Sequence, residues 1–198
     1  MDATQTQDLK QQLKAKWDQR NALNMEMAAI EKQLGGQAMQ DYELTRHDGS
    51  TVRLSEMFGE HSQMVLVHNM GFACKYCSLW ADGFNGYFHH LESGEYGQRA
   101  KFLLVSNDRP DQQQAGAKLR GWQFDMLSCR DTSLSKDWGY AREDGDKVHY
   151  GPGMMILEKT GDGTIRCHQQ TDICPGDSLM GLFHMFIRLP DSTGSAFE

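Results

Sequence analysis

Two apolar runs, Met64-Val-Leu-Val-His68 and Lys101-Phe-Leu-Leu-Val-Ser106, constrain this chain most. Each is too short for a core helix and shows no polar alternation, so each suits a strand buried on both faces. Phe124-Asp-Met-Leu-Ser128 reads as a third strand. Helical patterns separate them. One runs through Leu79, Phe84, Phe88 and Leu91; the other is a polar helix from Pro110 to Arg120, ended by Gly121. Strands alternating with helices predict an α/β sheet covered on both faces.

Hairpins flank this centre. Tyr42–Thr45 and Thr51–Leu54 sit either side of Asp48-Gly49, and Ser55–Phe58 looks like a capped helical turn. Met154–Leu157, the turn Lys159–Gly163 and Thr164–Cys167 form the second hairpin, and Asp177–Leu189 a closing helix.

Ahead of the sheet, residues 7–34 read as one long helix. Leu9, Leu13, Trp17, Leu23, Met27, Ile30 and Leu34 follow helical spacing, Lys16 and Arg20 interrupt the seam, and Gly35-Gly36 stops it. The chain therefore divides into a helical arm (1–36), an α/β domain (37–190) and a mobile tail from 191. The arm either packs on its own domain or joins a second copy as a homodimer.

The 198 residues suffice for one sizeable core, and a net charge of −7 with no Lys/Arg run argues against nucleic-acid or anionic-membrane binding. No stretch approaches the roughly 20 apolar residues a membrane span needs. The N-terminus lacks a secretory pattern, and five cysteines is an odd number. Both favour the reducing cytoplasm, where cysteines serve chemistry, metal or packing.

Cys74 and Cys77 stand between the first buried strand and a helix. There Cys74 faces the unpaired N–H groups of the first helical turn, which favours the nucleophilic thiolate, and Lys75 adds positive charge. Cys77 falls one turn further, within disulfide reach. Cys74 is then the exposed attacking thiol and Cys77 the buried resolving thiol, with Lys75 and Tyr76 contacting the substrate. The alternative is that both cysteines only pack.

The stretch Cys74-Lys-Tyr-Cys-Ser-Leu-Trp-Ala-Asp-Gly-Phe-Asn-Gly86 and the segment Gly121-Trp-Gln-Phe-Asp-Met-Leu-Ser128 resemble a bacterial family of thioredoxin-like proteins labelled predicted dithiol–disulfide oxidoreductases. The resemblance covers most of residues 40–190. It implies a three-layer α/β/α thioredoxin-like fold and an enzyme that needs no bound cofactor. Its substrate would be a protein or small-molecule disulfide, or a peroxide, and its reductant a partner such as thioredoxin or glutathione. It also implies a cis-proline beside the dithiol. Pro152 matches, and Gly151 before it would offer backbone hydrogen bonds to an extended substrate.

The sequence departs from two relatives of that fold. Peroxiredoxins carry Thr three residues before the reactive cysteine, where Cys77 has Cys74 and Cys74 has Gly71. Thioredoxin's Gly-Pro is replaced by Lys75-Tyr76, and its preceding Trp by Ala73.

Cys129, Cys167 and Cys174 are expected near the dithiol's edge of the sheet, as packing residues or as a secondary redox relay. Zinc bound by Cys74, Cys77, Cys167 and Cys174, with His89, His90 or His168 spare, is a weaker alternative, because the second pair lacks knuckle spacing. Trp80 and Phe84 read as core. Asp82 reads as a capping or solvated carboxylate, or else a proton acceptor for Cys77. Arg130 and Asp131 read as a surface ion pair, with Arg130 alternatively steadying a thiolate.

Overall fold

The structure, a computed structural model, describes residues 2–34, 36–95, 97, 99–172 and 189–190. It opens with α1 (Ala3–Leu34), β1 (Gln37–Met39), β2 (Glu43–Thr45), β3 (Thr51–Arg53) and a 3-10 turn (Leu54–Phe58). Next come β4 (Gln63–Asn69), α2 (Lys75–Asn85), α3 (Phe88–Ser93), β5 (Lys101–Ser106), α4 (Pro110–Arg120) and β6 (Asp125–Ser128). Last are α5 (Leu134–Asp137), β7 (Ala141–Asp144), β8 (Lys147–Tyr150), β9 (Gly153–Lys159) and β10 (Ile165–Asp172).

Among the described residues eight strands form one sheet, in the order β1-β10-β9-β4-β5-β6-β2-β3, and β7 and β8 form a separate ribbon. β4, β5 and β6 run parallel, while β9 runs antiparallel to β4 and β10 to β9. Every residue of β4 is buried. It lies between β5 and β9 with both faces covered, hence its unbroken apolar run.

The faces follow the two-residue period of the strand. Val65 and Val67 turn to the side of α2 and α3, packing in one cluster with Trp80, Ala81, Phe84 and Leu91. Met64 and Leu66 turn to the other side, under the 3-10 turn and α5, with Leu54, Phe58, Leu134 and Trp138. His68 shares their parity and meets α5 on that side. This is the thioredoxin-like α/β architecture, preceded by a helical arm.

α4 begins at Pro110 and ends at Gly121, whose φ of 69° is the left-handed cap that favours glycine. Other elements carry weak sequence signals. β1 has three residues and pairs with the edge of β10, α5 has four, and the β7–β8 ribbon is exposed along nearly its whole length. The expected closing helix lies outside the described residues except for Leu189, which is fully buried in the cluster beneath α2. Cys174 and the tail from 191 also lie outside them.

α1 meets the sheet near its C-terminal end, where Ala28 is buried and Gln169 Nε2 donates to Glu31 Oε1 at 3.0 Å. Leu9, Leu13, Trp17, Leu23, Met27, Ile30 and Leu34 are all exposed.

Candidate functional site

β4 carries the chain to one edge of the sheet, where residues 70–73 cross to α2. Two polar side chains fix that crossing. Asn69 Oδ1 accepts the Gly71 N–H at 2.7 Å, and Asn69 Nδ2 donates to the Cys77 carbonyl at 3.2 Å. Asp108, just after β5, accepts the Phe72 N–H at 3.0 Å.

Packing does the rest. Gly71 has φ 101°, and a Cβ there would lie 2.5 Å from the Asp108 carboxylate. The Phe72 ring stacks on Trp122, with centroids 5.0 Å apart, and covers Gly116, where a Cβ would come within 2.2 Å of it. Both glycines therefore permit close approaches that a larger residue would block.

Cys74 is the N-cap of α2, and its Sγ accepts the Cys77 N–H at 3.3 Å. This is where a helix leaves N–H groups without carbonyl partners. Cys74 is half-buried, Cys77 is buried behind it, and both are free thiols. Burial pushes the Cys77 thiol up to about 12, reinforced by the adjacent Cys74 and opposed by a hydrogen bond from the Met70 backbone. Lys75 is exposed on the first turn of α2, while the Tyr76 side chain lies outside what the structure describes.

Gly151 and Pro152, expected to face an extended substrate, differ in backbone geometry from that expectation. No cis peptide occurs among the described residues, so the bond preceding Pro152 is trans. The Gly151 N–H donates to the Tyr140 carbonyl at 2.8 Å, and the Gly151 carbonyl accepts His68 Nδ1–H at 2.8 Å. The N–H is thus committed internally, and the carbonyl already accepts one hydrogen bond.

His68 itself is fully buried. Its Nε2 lies 2.8 Å from Ser135 Oγ, and its ring stacks on Tyr140 at 4.7 Å. Burial pulls its pKa down to about 4, against the opposing hydrogen bond to Gly151.

A family model covers residues 4–192 of this sequence, that of a bacterial protein family of unknown function, DUF899. The chain belongs to that family. No curated protein matches it. Among solved structures, this DUF899 protein is similar to the peroxidoxin BcpB of Mycobacterium tuberculosis, at TM-score 0.58 and 21% identity over 76% of this chain and 90% of that one. It is similar to PrxQ of Xylella fastidiosa, at TM-score 0.58 and 16% identity over 71% and 86%. Prx3 of Vibrio vulnificus, solved reduced and in complex with hydrogen peroxide, matches at TM-score 0.55 and 16% identity over 72% and 88%. At these identities the likeness is one of fold.

The remaining cysteines of the DUF899 chain part company. Cys129 directly follows β6, whose Ser128 is level with Ser106 of β5 and hence with Asn69 at the dithiol's edge. It faces away from α2, fully buried, its Sγ 3.5 Å from Ser135 Oγ and its thiol raised to about 11 by burial. Cys167 overturns the expectation that it sits near the dithiol. It lies early in β10, in register with Leu157, which pairs with Met64. That places it four residues along β4 from His68, roughly 13 Å toward the opposite end. Its S–H donates to the Gln169 carbonyl at 3.2 Å, and burial pushes it up to about 12.

Of the groups considered for zinc, Cys174 lies outside the described residues and Cys167 lies far along the sheet from Cys74 and Cys77. His168 pairs with Glu158 at 2.7 Å and His90 with Glu95, and no group of three or more candidate ligands occurs among the described residues. Trp80 and Phe84 are core residues, as expected. Asp82 does not serve Cys77. It accepts Arg120 Nη1 at 2.6 Å and Trp122 Nε1 at 2.7 Å, tying α2 to the end of α4. Arg130 and Asp131 are both exposed and form no ion pair among the described residues. Arg130 borders a cavity instead.

Asn69, Asp108 and His68 were not singled out by sequence reasoning. Their one signal is position: each is a polar residue ending, or just following, an apolar strand run.

Proposed function

We propose that this DUF899 protein is a thiol–disulfide oxidoreductase that reduces a hydroperoxide at Cys74 and closes a Cys74–Cys77 disulfide. One observation carries the reading: a half-exposed sulfur caps α2, accepts the Cys77 N–H at 3.3 Å, and has a buried thiol directly behind it. Peroxide is favoured over a protein disulfide because the fold's neighbours include Prx3 of Vibrio vulnificus in complex with hydrogen peroxide. In the first step deprotonated Cys74 Sγ attacks the distal peroxide oxygen. The O–O bond breaks, Cys74 becomes a sulfenic acid, and the leaving alkoxide or hydroxide takes a proton. Cys77 sulfur then attacks Cys74 sulfur, forming the disulfide and releasing water. A dithiol such as reduced thioredoxin, or two glutathiones, returns both cysteines to thiols and is oxidised in turn.

The test is peptide mass spectrometry after one equivalent of hydrogen peroxide and alkylation of the remaining thiols. A Cys74–Cys77 disulfide is the expected product. Alkylated Cys74 and Cys77, or Cys74 sulfinic acid with Cys77 still alkylated, would count against the reading.

The exposed face of α1 favours a second property, assembly with another copy of the chain. Leu9, Leu13, Lys16, Arg20, Leu23, Met27, Ile30 and Leu34 recur in alternating steps of four and three, the period of a two-helix seam. The wild-type protein should sediment as a dimer, and Leu23→Lys with Ile30→Lys as a monomer. An identical sedimentation coefficient for the two would rule out α1 as the interface.

A further inference from the structure

From Gln7 to Leu23 every side chain of α1 is exposed. Burial begins at Asn24 and continues on one face, through Ala28, Glu31 and Lys32, which brings the helix onto β10 at Gln169. Leu23, Met27, Ile30 and Leu34 stand roughly a quarter turn round from that face and stay exposed. Most helical stability comes from packing an amphipathic face. The long exposed stretch of α1 therefore needs a surface that the described residues of its own domain do not give it.

The spacing of the seam points to that surface. From Leu9 to Leu34 the steps are 4, 3, 4, 3, 4, 3 and 4 residues, the same read from either end, with the midpoint between Asn21 and Ala22. A second α1 laid antiparallel about that midpoint sets seam residue against seam residue along the whole length. Leu9 then meets Leu34 of the second copy, Leu13 meets Ile30, Lys16 meets Met27, and Arg20 meets Leu23.

Charge separates this arrangement from the parallel one. In a parallel, in-register pair each seam residue faces its own counterpart, so Lys16 opposes Lys16 and Arg20 opposes Arg20 in successive layers. The flanking positions then set Glu26 against Glu31. Antiparallel pairing puts no two like charges opposite one another in a layer. The stems of Lys16 and Arg20 cover Met27 and Leu23 while their charges reach water. The Arg20 guanidinium already lies over its own Trp17 ring, at 4.6 Å. Lys16 comes beside Glu26 of the second copy, and Lys10 flanks Glu31.

We propose that two copies of this chain pair through α1 in antiparallel orientation, the exposed N-terminal half of each helix covered by the C-terminal half of the other. The orientation rests on the reading of α1 as a dimer seam. Leu34 precedes β1, an edge strand, so each arm ends beside the other copy's sheet.

Cross-linking of the full-length protein tests it, in a Cys74→Ser, Cys77→Ser background, with a short bismaleimide and peptide mass spectrometry. Leu13→Cys and Ile30→Cys, both at exposed positions, are mixed in equal amounts. The expected product joins position 13 to position 30. Like positions are then about 17 residues apart along the paired helices, about 26 Å at 1.5 Å per residue and beyond the linker. Products joining 13 to 13 and 30 to 30 would overturn the orientation and leave the dimer standing. Wild-type protein that sediments as a monomer would remove the seam itself, and the orientation with it. As a second measurement, Glu26→Lys places a cation beside Lys16 of the other copy and should raise the dimer Kd about threefold or more. In a parallel pair it would instead face Glu31, so an unchanged or lowered Kd would also overturn the proposal.

Discussion

Cys74→Ser should lower thiol-dependent hydroperoxide turnover by at least about a hundred-fold, because it removes the nucleophile rather than a contact to it. Cys77→Ser should behave differently. Its first peroxide equivalent is consumed at near the wild-type rate, and a Cys74 sulfenic acid then accumulates, trappable by dimedone. Steady-state turnover continues only as fast as an external thiol resolves that species. Stopped-flow measurement separates the two steps. The wild-type disulfide-forming step should also accelerate with pH. Burial holds Cys77 at about 12, so its deprotonated fraction rises about tenfold per pH unit across the neutral range. Equal loss of the first step in both variants would mean that the cysteines do not have separate roles.

The parts of this site legible in the sequence are those written in local patterns. The Met64–His68 run and the helix opening at Lys75 placed Cys74 at a strand-to-helix junction, and Pro110 and Gly121 bounded α4. What orients the junction is long-range and left little local trace. Asp108 reaches back to the Phe72 N–H across 36 positions, and Gly116 makes room for a ring 44 residues earlier. Cys167 shows the same limit from the other direction. Its place late in the chain suggested the dithiol's edge, but the antiparallel register of β10 against β9 puts it near the other end. Gly151 and Pro152 were placed by resemblance alone, and the hydrogen bonds that occupy Gly151 come from His68 and Tyr140, which no motif links to it.

His68 should make this protein acid-labile in a defined window. Unfolded, the imidazole titrates near its ordinary value of 6.5; folded, burial lowers it to about 4. Between these values the unfolded chain binds the additional proton, so stability is full above about pH 6.5 and falls as pH drops toward 4. The loss between pH 7 and pH 5 should be about 2 kcal/mol from this residue. Denaturant unfolding at the two pH values measures it. His68→Gln can still donate to Gly151 and accept from Ser135, so it should be less stable at pH 7 through the lost Tyr140 stack, yet flatter in pH by that same amount. An equally steep decline in His68→Gln would assign the acid lability elsewhere. The neutral imidazole is also what lets Nε2 accept the Ser135 hydroxyl. Protonation would turn that acceptor into a donor and break the floor of the adjoining cavity that Arg130 borders, and because the folded imidazole takes up its proton only near pH 4, the cavity should stay intact while stability falls between pH 7 and 5.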